Sequence, residues 1–104
     1  MDQMIKSIVA DALNISLDTR SRKKEIKAAI QIMAWFYYHY TMLKPKQIGV
    51  ELNKTHPYHR TTILHSIKRI DELISVNDKT TVTLVNNITR IIKKYYEQNR
   101  TRNN

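Results

Sequence analysis

The chain has 104 residues, with 18 Lys and Arg against 9 Asp and Glu, a formal net charge of +9, no cysteine, one glycine and two prolines. The lack of cysteine excludes a disulfide framework, a Cys-ligated zinc site and thiol chemistry, and so few turn-forming residues serve hairpin-rich β folds poorly while helices lose nothing. At 41% hydrophobic residues the chain can fill one small core, so a single all-α domain in a reducing, cytoplasmic compartment is expected, and its charge calls for a polyanion: nucleic acid first, an anionic membrane surface second.

The N-terminal stretch MDQMIKSIVADAL carries Asp2 and has no uninterrupted apolar run, so it reads as a first helix rather than a secretory signal. Ile5, Ile8, Val9, Ala12 and Leu13 recur at helical spacing and stop near Asn14. Residues 16–24 are polar and then strongly basic, with Arg20, Arg22, Lys23 and Lys24. After them Ile26, Ala29, Ile30, Met33, Phe36, Tyr37 and Tyr40 predict a long central helix with one broad apolar face. The uncharged stretch 28–43 falls short of the roughly 20 residues of a membrane span and contains Gln31 and His39, so no transmembrane segment is expected. Within the run 35–40, consecutive residues point all around a helix. Phe36, Tyr37 and Tyr40 therefore belong to the core, and Tyr38 and His39 point outward rather than form a base-stacking platform.

Pro45 suits the first turn of a third, short helix reaching Asn53, from which Ile48 and Leu52 face inward. Pro57 interrupts the following loop, and a fourth helix is expected from about Arg60. Ile63, Ile67, Ile70 and Ile74 form one stripe on it, flanked by Leu64 and Leu73, which leaves Thr61, Thr62, His65, Lys68 and Arg69 on the outer side. A last helix, about 79–98, aligns Leu84, Ile88, Ile91 and Tyr95 on one line and Val85, Ile92 and Tyr96 on the next, with Thr80, Thr81 and Thr83 expected to cap its start. The domain thus spans 1–98, followed by a polar tail, 99–104, expected to be mobile.

A short helix, a connection and a longer amphipathic helix over about 45–74 have the layout of a helix-turn-helix in a bundle of about five helices. The outer face of the longer helix presents Thr, His and Lys, which can meet base edges and phosphates in a major groove, where carboxylates are mostly repelled; Asp71 and Glu72 come only late on it. Other chemistry lacks its residues. The pattern His56-x-x-His59 with His65 has no clear fourth ligand for zinc, the carboxylates are scattered, and no Ser has a His and an acid placed to activate it. A non-enzyme without metal or cofactor is expected.

The segment Gln47-Ile-Gly-Val-Glu-Leu, followed by Arg60-Thr-Thr-Ile-Leu-His-Ser-Ile-Lys-Arg-Ile, resembles the C-terminal, origin-binding domain of the bacterial replication initiator DnaA, whose motif reads Glu-Ile-Gly and then Asp-His-Thr-Thr-Val-Leu-His-Ala. The resemblance runs over roughly residues 4 to 95: Met33-Ala-Trp-Phe falls on the family's Ala-Met-Tyr-Leu segment, Gln31 on a phosphate-contacting Gln, and 22–24 on its basic loop. Thr61-Thr62-Ile63-Leu64-His65 is its most specific part.

The resemblance implies a Trp-repressor-like helix-turn-helix that reads duplex DNA as a monomer. Thr61 and Thr62 would divide between bases and backbone, His65 would match the family's histidine, and Lys68 lies on the same face. Arg22 would reach the adjacent minor groove, and Lys24 and Gln31 would hold phosphates. The family's Asp-His is His59-Arg60 here, which puts His59 among the expected DNA-contacting residues and a guanidinium, the usual guanine reader, at a base-contacting position. The connection is three residues longer than the family's, and Ile30 stands where the family has Arg. The chain contains no GxxxxGK[ST] phosphate loop, so binding without ATP-driven melting is expected. These readings make the chain a stand-alone, nucleoid-associated regulator of replication or transcription that occupies a site or recruits a protein to it. The alternative is an interaction module that binds a replication or transcription protein instead of DNA.

Overall fold

A computed structural model describes the backbone of residues 2–13 and 23–102 and the side chains of 4–12 and 27–98. Its five helices run in the order α1 (Asp2–Leu13), α2 (Lys23–Tyr40), α3 (Pro45–Leu52), α4 (Arg60–Ser75) and α5 (Lys79–Arg102), with no strand among the described residues. The radius of gyration, 13.8 Å, is close to the ~13 Å of a compact domain of this length. The protein is an all-α bundle. Among the described residues no helix is long and apolar enough to cross a membrane.

The central helix is α2, which packs against α1, α3 and α4. Ala29, Met33, Phe36 and Tyr37 are buried along its expected face, and so are Ile32 and Ala34, which that face did not include. Three packing partners explain the wider burial, because a helix covered on several sides has no purely solvated face. Tyr38 and His39 are exposed, as the run of aromatic residues predicts. On α1, Ile5 and Val9 are fully buried, whereas Ala12 is exposed.

Local chemistry explains where α3, α4 and α5 begin and end. Pro45 opens α3, and the Gln47 side chain at the third helical position accepts a hydrogen bond from the Lys44 backbone N–H at 2.8 Å. At the other end of α4 the chain closes a Schellman motif: Asp78 N–H donates to the Leu73 carbonyl at 2.9 Å and Asn77 N–H to that of Ile74 at 3.0 Å. Asn77 sits at φ 57°, a left-handed conformation that Asn tolerates better than most residues.

Three expectations for α5 need correction. Asp78, not a threonine, caps its start: its Oδ2 accepts from the Thr81 N–H at 3.0 Å and the Thr81 hydroxyl at 2.7 Å. A carboxylate there also meets the positive end of the helix, which a hydroxyl cannot exploit. Next, the buried line is Thr81, Val85, Ile88 and Ile92, while Ile91 and Tyr95 are 44% and 42% exposed. The burial crosses between the two expected lines, taking Ile88 from the first and Val85 and Ile92 from the second, as α5 packs against α1 and α4. Finally, α5 runs on to Arg102 instead of ending at Gln98. Nothing from Asn99 onward is a Gly or Pro that would stop it, and Arg100 and Arg102 favour a helix C-terminus.

Candidate nucleic-acid interface

The geometry of α4 follows from its buried stripe. Ile63, Ile67 and Ile70 are 0%, 7% and 2% exposed, and each such side chain contributes about 1.5–3 kcal/mol when removed from water. Rotation about the helix axis would expose all three, so the outer face is fixed. It carries Thr61, Thr62, Leu64, His65, Lys68 and Arg69, all exposed, and Arg60 is exposed at the first position of the helix. Thr61, Thr62, His65 and Lys68 of the expected set therefore share one surface. Ser66, beside it, is buried and satisfied by donating its hydroxyl to the Thr62 carbonyl at 2.9 Å.

The approach to α4 is held by two contacts of the connection 53–59. Asn53 Oδ1 accepts from the Thr55 and His56 N–H groups at 3.1 and 3.0 Å, folding the chain back on itself. Further on, Tyr58 N–H donates to the Gly49 carbonyl at 3.1 Å. Gly49 is a requirement of this contact, since a Cβ there would overlap the Tyr58 carbonyl oxygen.

His59 is the N-cap of α4. Its Nδ1 accepts from the Thr61 N–H at 3.2 Å, filling one of the donors a helix start leaves unpaired. As an acceptor Nδ1 carries no proton, so the proton of the neutral ring is on Nε2, a donor. Sequence reasoning placed His59 among the DNA-contacting residues without this role, which its position directly before Arg60 could have suggested; His is an uncommon cap, and the usual Ser, Thr, Asp or Asn is absent there.

Packing of α2 on α4 brings Gln31 to the same surface. An open groove of about 540 Å³ runs between them, with Lys27 and Gln31 on one side and Thr62, His65, Lys68 and Arg69 among the residues on the other. Its one carboxylate, Glu72, lies 3.9 Å from Arg69 in a half-exposed pair, a contact that holds little energy and leaves the groove cationic. Lys27 and Arg69 thus join the site from outside the expected set; the helical period already put Arg69 on the outer side of α4, whereas only the α2–α4 contact brings Lys27 there. Thr61 and Arg60 do not line the groove, so the two threonines face different surroundings. Arg22 lies outside the described residues; Lys24 falls in the first turn of α2, with its side chain outside those described.

No protein-family model, curated protein or solved structure matches the chain.

Proposed function

We propose that the chain is a helix-turn-helix protein that binds duplex DNA with a sequence preference, α3 and α4 forming the motif and α4 entering the major groove. The observation that carries this reading is the outer face of α4: Thr61, Thr62, His65 and Lys68 are exposed together, with no carboxylate among them before Asp71. Its resemblance to the origin-binding domain of DnaA supports the same assignment. In this reading Arg60, Thr61 and His65 meet base edges, and the exposed Leu64 lies where an apolar side chain can meet a thymine methyl. Thr62, Gln31, Lys27 and Lys68 hold the phosphate backbone along the groove between α2 and α4, and the Nε2–H of His59 donates to DNA at the start of α4. Arg22 and Lys24 reach the flanking minor groove and backbone. The protein acts as a monomer, regulating replication or transcription by occupying a site or recruiting a protein to it.

The test is a fluorescence-anisotropy titration against a randomised duplex pool and a DnaA-box duplex at two salt concentrations, with the bound pool sequenced. Enrichment of a motif that the variant Thr61→Ala/Thr62→Ala no longer enriches supports the reading, provided that the variant keeps its helical circular dichroism. Binding without enrichment reduces the protein to a nonspecific DNA coat. Absence of binding at low salt overturns the proposal.

A further inference from the structure

Where α1 packs on α5, Met4 and Ile8 of the first helix and Ile91 and Tyr95 of the second line an open groove of about 370 Å³. Both pairs are spaced i, i+4, so each helix contributes one ridge and the hollow runs between them. Ile91 and Tyr95 are 44% and 42% exposed, although Ile88 and Ile92 on the same helix are fully buried. Single exposed apolar side chains are ordinary; two adjacent ones beside a hollow that is itself apolar form a patch.

The rim of the groove has a sign. Lys94 lines it, and Arg90, next to Ile91 in sequence, is exposed. No carboxylate is among the residues that line it, so the charge that a ligand meets there is the Lys94 ammonium.

We propose that this groove docks an amphipathic helix of an acidic partner protein, with apolar side chains seated between Met4, Ile8, Ile91 and Tyr95 and carboxylates paired with Lys94 and Arg90. An amphipathic helix laid in an apolar groove needs anchors one turn apart, which the i, i+4 pairs on both walls match, and the cationic rim selects acidic over basic helices. A second copy of this chain brings the same cations to the rim and is repelled. A bilayer surface fits poorly as well, because the apolar side chains line a hollow that a ridge of side chains fills and a flat surface spans.

The probe is a synthetic, fluorescein-labelled helix with Leu on one face and Glu on the other, beside a control with Lys in place of Glu, titrated into the full-length chain. Expected are binding of the Glu peptide, amide shifts in NMR spectra confined to the groove, and affinity about tenfold lower for Ile91→Glu/Tyr95→Glu, a loss of ~1.4 kcal/mol. Lys94→Glu, which leaves the apolar walls intact, should narrow the preference for the Glu peptide over the Lys peptide. Equal binding of the two peptides, shifts centred on α4, or binding to phosphatidylglycerol vesicles without peptide binding would overturn the proposal, as would dimerisation in sedimentation that Ile91→Glu abolishes. The same variants titrated with DNA keep this result apart from the reading of α4: DNA binding retained while peptide binding is lost assigns the two surfaces separately.

Discussion

Trp35 donates its indole Nε1–H to Asp71 Oδ1 at 2.8 Å, tying the middle of α2 to the C-terminal half of α4 across 36 residues of sequence. The same indole packs at 4.3 Å between ring centroids on His39 and edge-on against Phe36 at 5.0 Å. Asp71 and Glu72 come late on a helix whose outer face carries no carboxylate before them, and this bond gives Asp71 a structural use. Asp71→Ala is expected to cost about 0.5–1.5 kcal/mol in urea denaturation, the usual net worth of one hydrogen bond. The fluorescence maximum of Trp35, the chain's one tryptophan, should shift in the folded protein, and an unchanged spectrum would mean that the bond does not form in solution.

Gly49→Ala sets two effects of opposite sign against each other. In an open helix the change gains about 1 kcal/mol of helix propensity. Here the new methyl overlaps the Tyr58 carbonyl oxygen, a backbone atom whose residue also donates to the Gly49 carbonyl, so the connection has to move. Overpacking of this kind costs about 1–3 kcal/mol, and a net loss of stability is expected. Because that connection leads to His59 and the start of α4, the proposed binding of duplex DNA should weaken with it. A melting temperature equal to or above that of the parent would show that the clash relaxes freely.

The Asp78 carboxylate is held below the ordinary aspartate range, first by the Thr81 hydroxyl, then by the Thr81 N–H and the charge of Arg69, with desolvation opposing them. A carboxyl whose native pKa is depressed adds stability that is complete above its unfolded value, about 3.9, and is lost as pH falls through the native value. Asp78→Ala should therefore melt below the parent at about pH 7, and the gap should close as the pH is lowered below about 4. A gap that persists undiminished in acid would assign the effect to something other than the charged cap.

Salt dependence separates the two cationic surfaces. If α4 and its surroundings neutralise about four to six phosphates, log K falls against log salt with a slope of about −4 to −5. Lys68→Ala should make that slope shallower by about one and weaken all sequences alike. Lys93→Ala and Lys94→Ala, on α5, should leave it unchanged, and a reduction there instead would move the DNA-binding surface to the last helix.

Helix content, the number of helices and the facing of α4 were determined by the sequence itself, because they follow from local properties. Four isoleucines at one periodicity define which side of α4 is buried, Pro45 marks where a helix begins, and an almost glycine-free chain leaves little else to build. With the stripe placed, Thr61, Thr62, His65 and Lys68 had nowhere to go but outward. What tertiary structure decided depends on neighbours that no local period encodes. It chose Ile88 and Ile92 over Ile91 and Tyr95 for the core, since two adjacent apolar lines make one broad apolar face and only packing selects which part of it is covered. It brought Lys27 and Gln31 beside α4, joined Trp35 to Asp71, and pressed Tyr58 against Gly49, contacts that form only when helices distant in sequence pack together. The caps fall between the two: Asn77 and Asp78 are residues typical of a helix stop and a helix start, yet Thr80, Thr81 and Thr83 offered competing caps, and the backbone geometry of the turn settled which group accepts.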